Sequence, residues 1–376
     1  MLFSKFAKYL NQVETTDSRT EMTRILADMI KEIDSSDAKS VSYLLQGRVA
    51  PSFEDIEFNI AEKIMIRAIA LSFDKTEIEV TEDFKDIGDL GTLAEQYRQR
   101  KRSEVKDLGV DEVFNKLLNI AQYSGTQSQD KKILGLRDLF LDHTPLSCRY
   151  IARIPVGKLR LGISVKTMLD VISWAEKGDK SVRQKVDVAY YATSDLGLVI
   201  ETYKEKGLSG LAHLQPSPGT PVFPKLVERI KTTEGIIDKM GPVWTQPKFD
   251  GLRCQIHKWE SSGRKHVKLF SRNLEDLSSM FPDVVEAVKQ LPANDLIIDS
   301  EIIGYNPETE EFVSFQKTMN RKRIYNIGEI SNRVPVFLFA FDLIHLNGNN
   351  LMNKEIEERI DLLKSTIKDN KLIKMT

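Results

Sequence analysis

Lys248-Phe249-Asp250-Gly251-Leu252-Arg253 places a lysine, a carboxylate, a glycine and an arginine within six residues. A lysine amine attacks only when neutral, so a site built on one needs nearby positive charge or desolvation to lower its pKa. Arg253, with a metal ion where one binds, can supply that charge. The same cations would neutralise phosphate oxygens during attack on phosphorus. These residue types point to a lysine that takes up a nucleotidyl group as a covalent phosphoramidate. The plain alternative is a surface hairpin with solvated Lys and Arg.

Strands must position such a lysine. Pro242-Val243-Trp244 reads as extended, and Leu252, Cys254 and Ile256 alternate with Arg253, Gln255 and His257, the period of a half-buried strand. Asp250-Gly251 between them predicts a tight reversal with glycine at positive φ, which lets Lys248 and Arg253 converge. Further on, Leu269-Phe270-Ser271-Arg272-Asn273 ends a strand in a turn that carries an arginine. In Leu296 to Ile302, Leu296, Ile298 and Ile302 share one face and Asp299 and Glu301 the other. Glu301 is thereby free to accept from a ribose hydroxyl or to hold a metal-bound water, the plain alternative being a solvent-facing strand glutamate. Val334 to Ile344 reads as a buried central strand, with Phe341 at its end either a core residue or a ring able to stack on a purine, Asp342 next, and Gly348 closing the turn.

The region before residue 210 is helical in pattern. Thr16 and Asp17 are candidate N-caps for the helix from Thr20, and further helices fit Ile60 to Phe73, Thr92 to Arg102, Asp111 to Ala121 and Asp130 to His143. Two of its loops could hold phosphate. Ser124 to Asp130 is small and polar, opens a helix and is followed by Lys131 and Lys132; the backbone N–H groups around Ser128 could grip an anion. Gly157 to Ser164 carries Lys158 and Arg160 between glycines, with Ser164 placed to cap the helix from Val165 to Trp174. With Arg149, Arg153 and Lys166 it concentrates positive charge of the kind that positions a phosphate backbone. Solvated helix connections are the alternative. The prolines of Gln215 to Pro221 exclude helix or central strand and mark a linker, after which Lys225 to Met240 reads as one helix.

Composition narrows the class. At 376 residues the chain holds two or three domains, and its net charge of −1 requires any nucleic-acid surface to be a local patch. Two distant cysteines, Cys148 and Cys254, lack metal-ligand spacing and suit a reducing compartment. Neither a signal-peptide pattern nor a membrane-length apolar run is present, so a cytoplasmic protein is expected.

Taken together, these motifs resemble ATP-dependent DNA ligases of the archaeal and eukaryotic type. The family's K-x-D-G-x-R runs here from Lys248 to Arg253, its S-R-N is Ser271-Arg272-Asn273, its D-x-E-I is Asp299-Ser300-Glu301-Ile302, and its F-D-x-x-x-x-N-G runs from Phe341 to Gly348. Phe315 to Arg323 looks like the family's intervening segment. In the helical half, Val156 to Gly162, Ala192 to Gly197 and Ser128 to Lys132 look like its N-terminal DNA-binding domain.

The resemblance implies an all-α DNA-binding domain over 1–209, a linker over 210–224, and over 225–376 the first part of an α+β, ATP-grasp-like nucleotidyltransferase domain with antiparallel sheets. It implies that Lys248 becomes AMP-lysine and that Arg253 and Arg272 contact AMP or the nick phosphate. Glu301 would bind ribose or Mg2+ (or Mn2+), and Phe341 would stack on adenine. Gln246 stands where the family commonly has glutamate; its amide can still pair with the adenine edge. Ser128, Lys131, Lys132, Lys158, Arg160, Ser164 and Lys166 are the expected DNA contacts. ATP and a divalent metal are the implied cofactors, and nicked duplex DNA is the implied partner of a monomer associated with the nucleoid. Recruitment by a sliding clamp is left open. The family's later lysine-bearing strands and its OB-fold have no counterpart, so an N-terminal portion of a ligase is expected. A DNA-binding fragment without catalysis and a capping or RNA-ligase type enzyme are the alternatives.

Overall fold

The computed structural model describes residues 1–101, 104–225, 227–309, 311–323, 334–368 and 370–376. The chain divides into two compact units, Met1–Pro51, Ile56–Tyr190 and Asp195–His213 in the first, and Ser52–Asp55, Tyr191–Ser194 and Leu214–Thr376 in the second.

The first unit is helical, as its 3.6-residue periodicity requires. The helix Phe3–Glu14 buries Phe3, Phe6, Ala7, Leu10 and Val13, a spacing that makes one apolar stripe. The helix expected from Thr20 starts at Arg19 and is capped by Ser18 rather than by Thr16 or Asp17. Only Ser18 stands three residues before an amide it can serve, and its Oγ accepts the Glu21 N–H at 3.3 Å. The other expected helices are Glu62–Ser72, Leu90–Arg100, Val110–Gln122 and Ser128–Asp142, while Arg102 lies outside the described residues. Asp195, within the A-T-S-D-L-G stretch, caps the helix Leu196–Leu211 by accepting the Leu198 N–H at 3.1 Å, and it also takes the Tyr43 hydroxyl at 2.8 Å. Gly197 is required there, because a Cβ would stand 2.6 Å from the Tyr43 ring.

The second unit is built on a sheet of seven strands among the described residues. These are β1 (Leu252–Ser261), β2 (Arg264–Phe270), β3 (Leu296–Asn306), β4 (Glu311–Phe312), β5 (Val336–Leu346), β6 (Asn349–Asn350) and β7 (Ile373–Met375). The order is β2-β1-β3-β5-β6, with β4 on β3 and β7 on β5; every pairing is antiparallel except the parallel β5–β7. One face carries Cys254, Ile256, Leu296, Ile298, Ile302, Leu338 and Ala340, and the helices Pro282–Lys289 and Ile356–Ile367 cover it with Val284, Val288, Leu363 and Ile367. The opposite face holds the polar residues. No helix among the described residues is long and apolar enough to cross a membrane.

Four local expectations change. Residues 242–250 form no strand; pairing begins only at Leu252, so the lysine rides on an irregular lead-in to β1 rather than on a hairpin arm. β1 is not half-buried, because Gln255, His257 and Lys258 are as buried as Cys254 and Ile256. The proline-rich segment lies on that second face. Gln255 accepts the Val222 N–H at 2.7 Å and donates to its carbonyl at 3.3 Å, and His257 Nδ1 accepts the Gly219 N–H at 3.1 Å. The long helix expected from Lys225 to Met240 forms only over Thr233–Met240, where Thr232 supplies an N-cap in mid-stretch, accepting the Gly235 N–H at 3.1 Å. Finally, Phe341 sits inside β5, not at its end. Ser300 pairs with Ala340 and Asp299 with Asp342, which leaves Phe341 as the extra residue of a β-bulge.

Candidate active site and nucleic-acid contacts

Register assembles the candidate active site. Arg253 of β1 lies opposite Glu301 of β3, and Glu301 opposite Phe339 of β5. Directly paired residues project to the same side of a sheet, so these side chains share the polar face. Arg253 donates from Nε to Asp299 Oδ1 at 2.9 Å and from its second fork to Oδ2, a bidentate pair in which Asp299 is nearly fully buried. Burial pushes the Asp299 carboxyl up, against the pull of the Arg253 guanidinium. The expected phosphate-contacting arginine is therefore held rigidly by a neighbouring carboxylate. In the sequence Asp299 belongs to a polar strand face and to the D-x-E-I element, and the β1–β3 register turns that shared parity with Glu301 into a contact with Arg253.

Gly251 joins the lysine lead-in to this face. Its N–H donates to Glu301 Oε1 at 3.1 Å. A side chain there would collide with the Ile302 carbonyl oxygen and come within 2.9 Å of Glu301 Cγ. Its φ is not positive, so close approach, rather than a left-handed turn, requires glycine. Burial pushes the half-buried Glu301 carboxyl up, while the Gly251 N–H and the Lys248 charge pull it down. Lys248 thus lies near enough for its charge to bear on Glu301, and it is exposed. Phe249 anchors the segment by packing on Phe339, with ring centroids 4.4 Å apart.

Gln246 and Phe341 also come together, the Gln246 Nε2 donating to the Phe341 carbonyl at 3.1 Å. That bond uses the amide's donor and leaves its oxygen as an acceptor. Phe341 is partly exposed, and burial pushes the adjoining Asp342 carboxyl up while Arg359, 3.3 Å away, pulls it down. Arg272 is exposed in a turn fixed by Ser271, whose Oγ accepts the N–H groups of Asn273 and Glu275 at 3.2 and 3.1 Å. No hydrogen bond or ion pair of Arg272 is found among the described residues.

Among the described residues a divalent ion would find Glu301 and the exposed Asp250 of the lead-in without an ion pair, since Asp299 is engaged by Arg253 and Asp342 by Arg359. No group of three or more His, Cys, Asp or Glu among the described residues is arranged to hold a metal. One or two carboxylates fit Mg2+ shared with substrate phosphates, because that ion keeps several waters and needs few protein ligands.

In the helical unit the expected DNA contacts separate into two groups. Arg160, Ser164 and Lys166 line one cleft of about 670 Å³. Arg160 adopts φ 56° between Gly157 at 66° and Gly162 at 64°, so a bulky side chain is held in the left-handed region. Ser164 caps the helix Val165–Lys177 by accepting the Thr167 N–H at 3.2 Å. Lys131 is exposed, with its ammonium 5.9 Å from the Tyr123 ring centroid, and Ser128 opens the helix Ser128–Asp142. Lys158 is exposed but paired with Glu62. Lys132 corrects the expectation: it is buried and its Nζ donates to the Phe58 carbonyl at 2.6 Å, so its charge is spent inside the fold. Arg149 and Arg153 are likewise drawn inward, Arg149 donating to Glu95 at 2.6 Å and Arg153 to Asp89 at 2.9 Å and Glu14 at 2.8 Å.

Comparison with known proteins gives concordant results for both units. The family described as DNA ligase N terminus matches residues 2–173, and the ATP dependent DNA ligase domain matches residues 224–376. A probable DNA ligase of Dictyoglomus thermophilum is 43% identical over 377 residues, covering 100% of this chain and 64% of the relative. DNA ligase 2 of Korarchaeum cryptofilum is 35% identical, with 98% and 63% covered. The chain thus spans a little under two thirds of the length of these relatives. Among solved structures, the ligase domain of M. tuberculosis LigD is similar over 35% of this chain and 38% of that one, at 23% identity and a TM-score of 0.28, too low to place the fold by itself. The two domain matches, in order and across most of the chain, place this protein in the family of ATP-dependent DNA ligases.

Proposed function

We propose that this chain carries the nucleotide-binding and DNA-gripping part of an enzyme that seals nicks in duplex DNA at the expense of ATP. The observation that carries this reading is the convergence of Lys248, Glu301, Arg253, Gln246 and Phe341 on one face and edge of the sheet through β1–β3–β5 register. Lys248 Nζ loses a proton and attacks the α-phosphorus of ATP; the bond to the bridging oxygen breaks and pyrophosphate leaves, giving AMP-lysine. The AMP then passes to the 5′-phosphate at a nick, and the 3′-hydroxyl attacks that phosphorus and releases AMP. Arg253, locked by Asp299, and Arg272 offset the charge on phosphate oxygens. Glu301 accepts from ribose or holds Mg2+ (or Mn2+), which when bound draws electron density from the phosphate oxygens.

Gln246 offers its free oxygen to an exocyclic amine, and Phe341 offers a ring to the purine. Residues 1–209 grip the duplex non-specifically through Arg160, Ser164 and Lys166, with Lys131, Ser128 and Lys158 as further phosphate contacts. Residues 210–224 link them to the adenylation region 225–376. The chain acts as a monomer in the cytoplasm, on nucleoid DNA.

The test is covalent labelling by ATP radioactive at the α-phosphorus, with magnesium, of the chain and of Lys248→Ala. A label carried by the parent and lost in the variant is expected. A label that survives the substitution removes Lys248 from its role, and labelling by GTP in place of ATP would favour a capping-type enzyme.

A further inference from the structure

Between Arg264 and Arg272 the sequence holds four cationic residues, Arg264, Lys265, Lys268 and Arg272, and no acidic one. On β2, Val267 and Leu269 point into the core packing, so Arg264, His266 and Lys268 project to the opposite face, the one that carries Arg253 and Glu301. Their partners across the strand pair are uncharged or buried: Ser261 faces Arg264, Trp259 faces His266 and the buried His257 faces Lys268. Lys265, on the other face, is matched by Glu260. Among the described residues no carboxylate pairs with Arg264, and Lys268 reaches only Asp276, at 3.8 Å. The His266 ring stacks on Trp259 with centroids 5.3 Å apart and planes 17° from parallel, which stiffens the middle of the row.

We infer that this row is a track for the sugar-phosphate backbone of one strand of duplex DNA, leading away from the nucleophile. The inference rests on the nick-sealing reading. Alternate residues of an antiparallel strand stand about 7 Å apart, so the row offers evenly spaced contacts over the length of β2, and Arg272 continues it at the end nearer Arg253. Side chains that meet only phosphate fix position without reading sequence, as a nick-sealing enzyme requires. Gly219, 3.4 Å from Trp259 by its would-be Cβ, shows the proline-rich segment bracing the row from the same side.

The test is the salt dependence of binding to a nicked duplex by fluorescence anisotropy, for the parent chain, the double variant Arg264→Gln/Lys268→Gln, and Lys265→Gln. Two lost phosphate contacts reduce the slope of log K against log salt by about 1.8, so the fall in affinity between about 50 and 200 mM salt shrinks by roughly tenfold. Lys265→Gln keeps the parent slope. A double variant with the parent slope overturns the track, and so does a Lys265→Gln variant that loses as much per charge, since that would be a net-charge effect. If the parent binds no duplex at low salt, the track and the DNA reading fall together. If it binds and Lys248 labels while the double variant is unchanged, only the track falls.

Discussion

The two units differ in where they leave their basic residues exposed. In the helical unit, Arg149, Arg153 and Lys132 look from the sequence like part of a cationic surface, yet each is drawn into the fold by Glu95, by Asp89 and Glu14, and by the Phe58 carbonyl. In the sheet unit the cations of β2 and its following turn face outward with few carboxylates in reach, Arg253 is held at the site by Asp299, and Lys258 and Arg321 are drawn into the fold by the Leu291 carbonyl and by Asp283. A lysine or arginine is informative about a ligand only after the structure has claimed its share. Helices, with side chains all round, give an internal carboxylate many chances to capture an arginine.

The largest effect that would break this contrast is expected at Asp299. Asp299→Asn leaves Arg253 with half its partner and should cost about 3–5 kcal/mol of stability, typical of a broken buried pair, together with most AMP-lysine formation. Chemical denaturation and labelling measure the two, and a stable, fully active variant would show that Arg253 is positioned by something else.

A smaller loss is expected for Gly251→Ala. The added methyl must push the lysine lead-in away from Ile302 and Glu301. A displacement of about 1 Å at a reacting group costs on the order of 100-fold in rate, so single-turnover labelling should slow by that order while thermal unfolding moves little.

Lys132→Gln and Lys166→Gln sharpen the distinction within the helical unit. The first removes a buried charged hydrogen bond and should cost about 2 kcal/mol of stability, with an unchanged salt slope for duplex binding. The second should leave the melting temperature alone and lower the slope by about 0.9. The reverse pattern would restore Lys132 to the DNA surface.

The smallest effect concerns pH. Burial, helped by the His345 and Lys268 charges, brings the His257 pKa down to about 3. The unfolded chain binds a proton at this residue below ~6.5 while the folded one does not. Stability is therefore lost as pH falls from ~6.5 toward about 3, and His257→Gln should flatten that part of the melting profile. An unaltered profile would mean that another group sets the acid limb of the stability curve.

Much of the site was legible because its chemistry is local. Lys248 to Arg253, Ser271 to Asn273, and the parity of Asp299 and Glu301 are short-range patterns that a linear reading can weigh. The Arg253–Asp299 pair and the Gln246–Phe341 bond were not, since 46 and 95 residues separate the partners and only strand register joins them. Burial of Gln255 and His257 escaped for a related reason: alternation reports one covered face and is silent about a segment laid over the other. The truncated helix at Thr233 was overshadowed by an apolar pattern that continues upstream of its cap.

The bulge in β5 has a companion. Ile298 pairs with Leu343 and Ile297 with His345, so Ile344 is a second unmatched residue three positions after Phe341. Inward-facing positions are even at Leu338 and Ala340, become odd at Leu343, and are even again at Leu346, which packs at the edge of the same core. Each insertion shifts the numbering of the inward positions by one while the pairs beyond it keep their faces, and the second returns the numbering to even. β5 can therefore detour for a few residues, turning Phe341 and Asp342 out of the core, without mis-setting anything beyond. A deletion of Phe341 alone would leave Asp342, Leu343 and Leu346 opposite Asp299, Ile298 and Leu296, because Ile344 still takes up the second shift, and would erase only the first half of the detour.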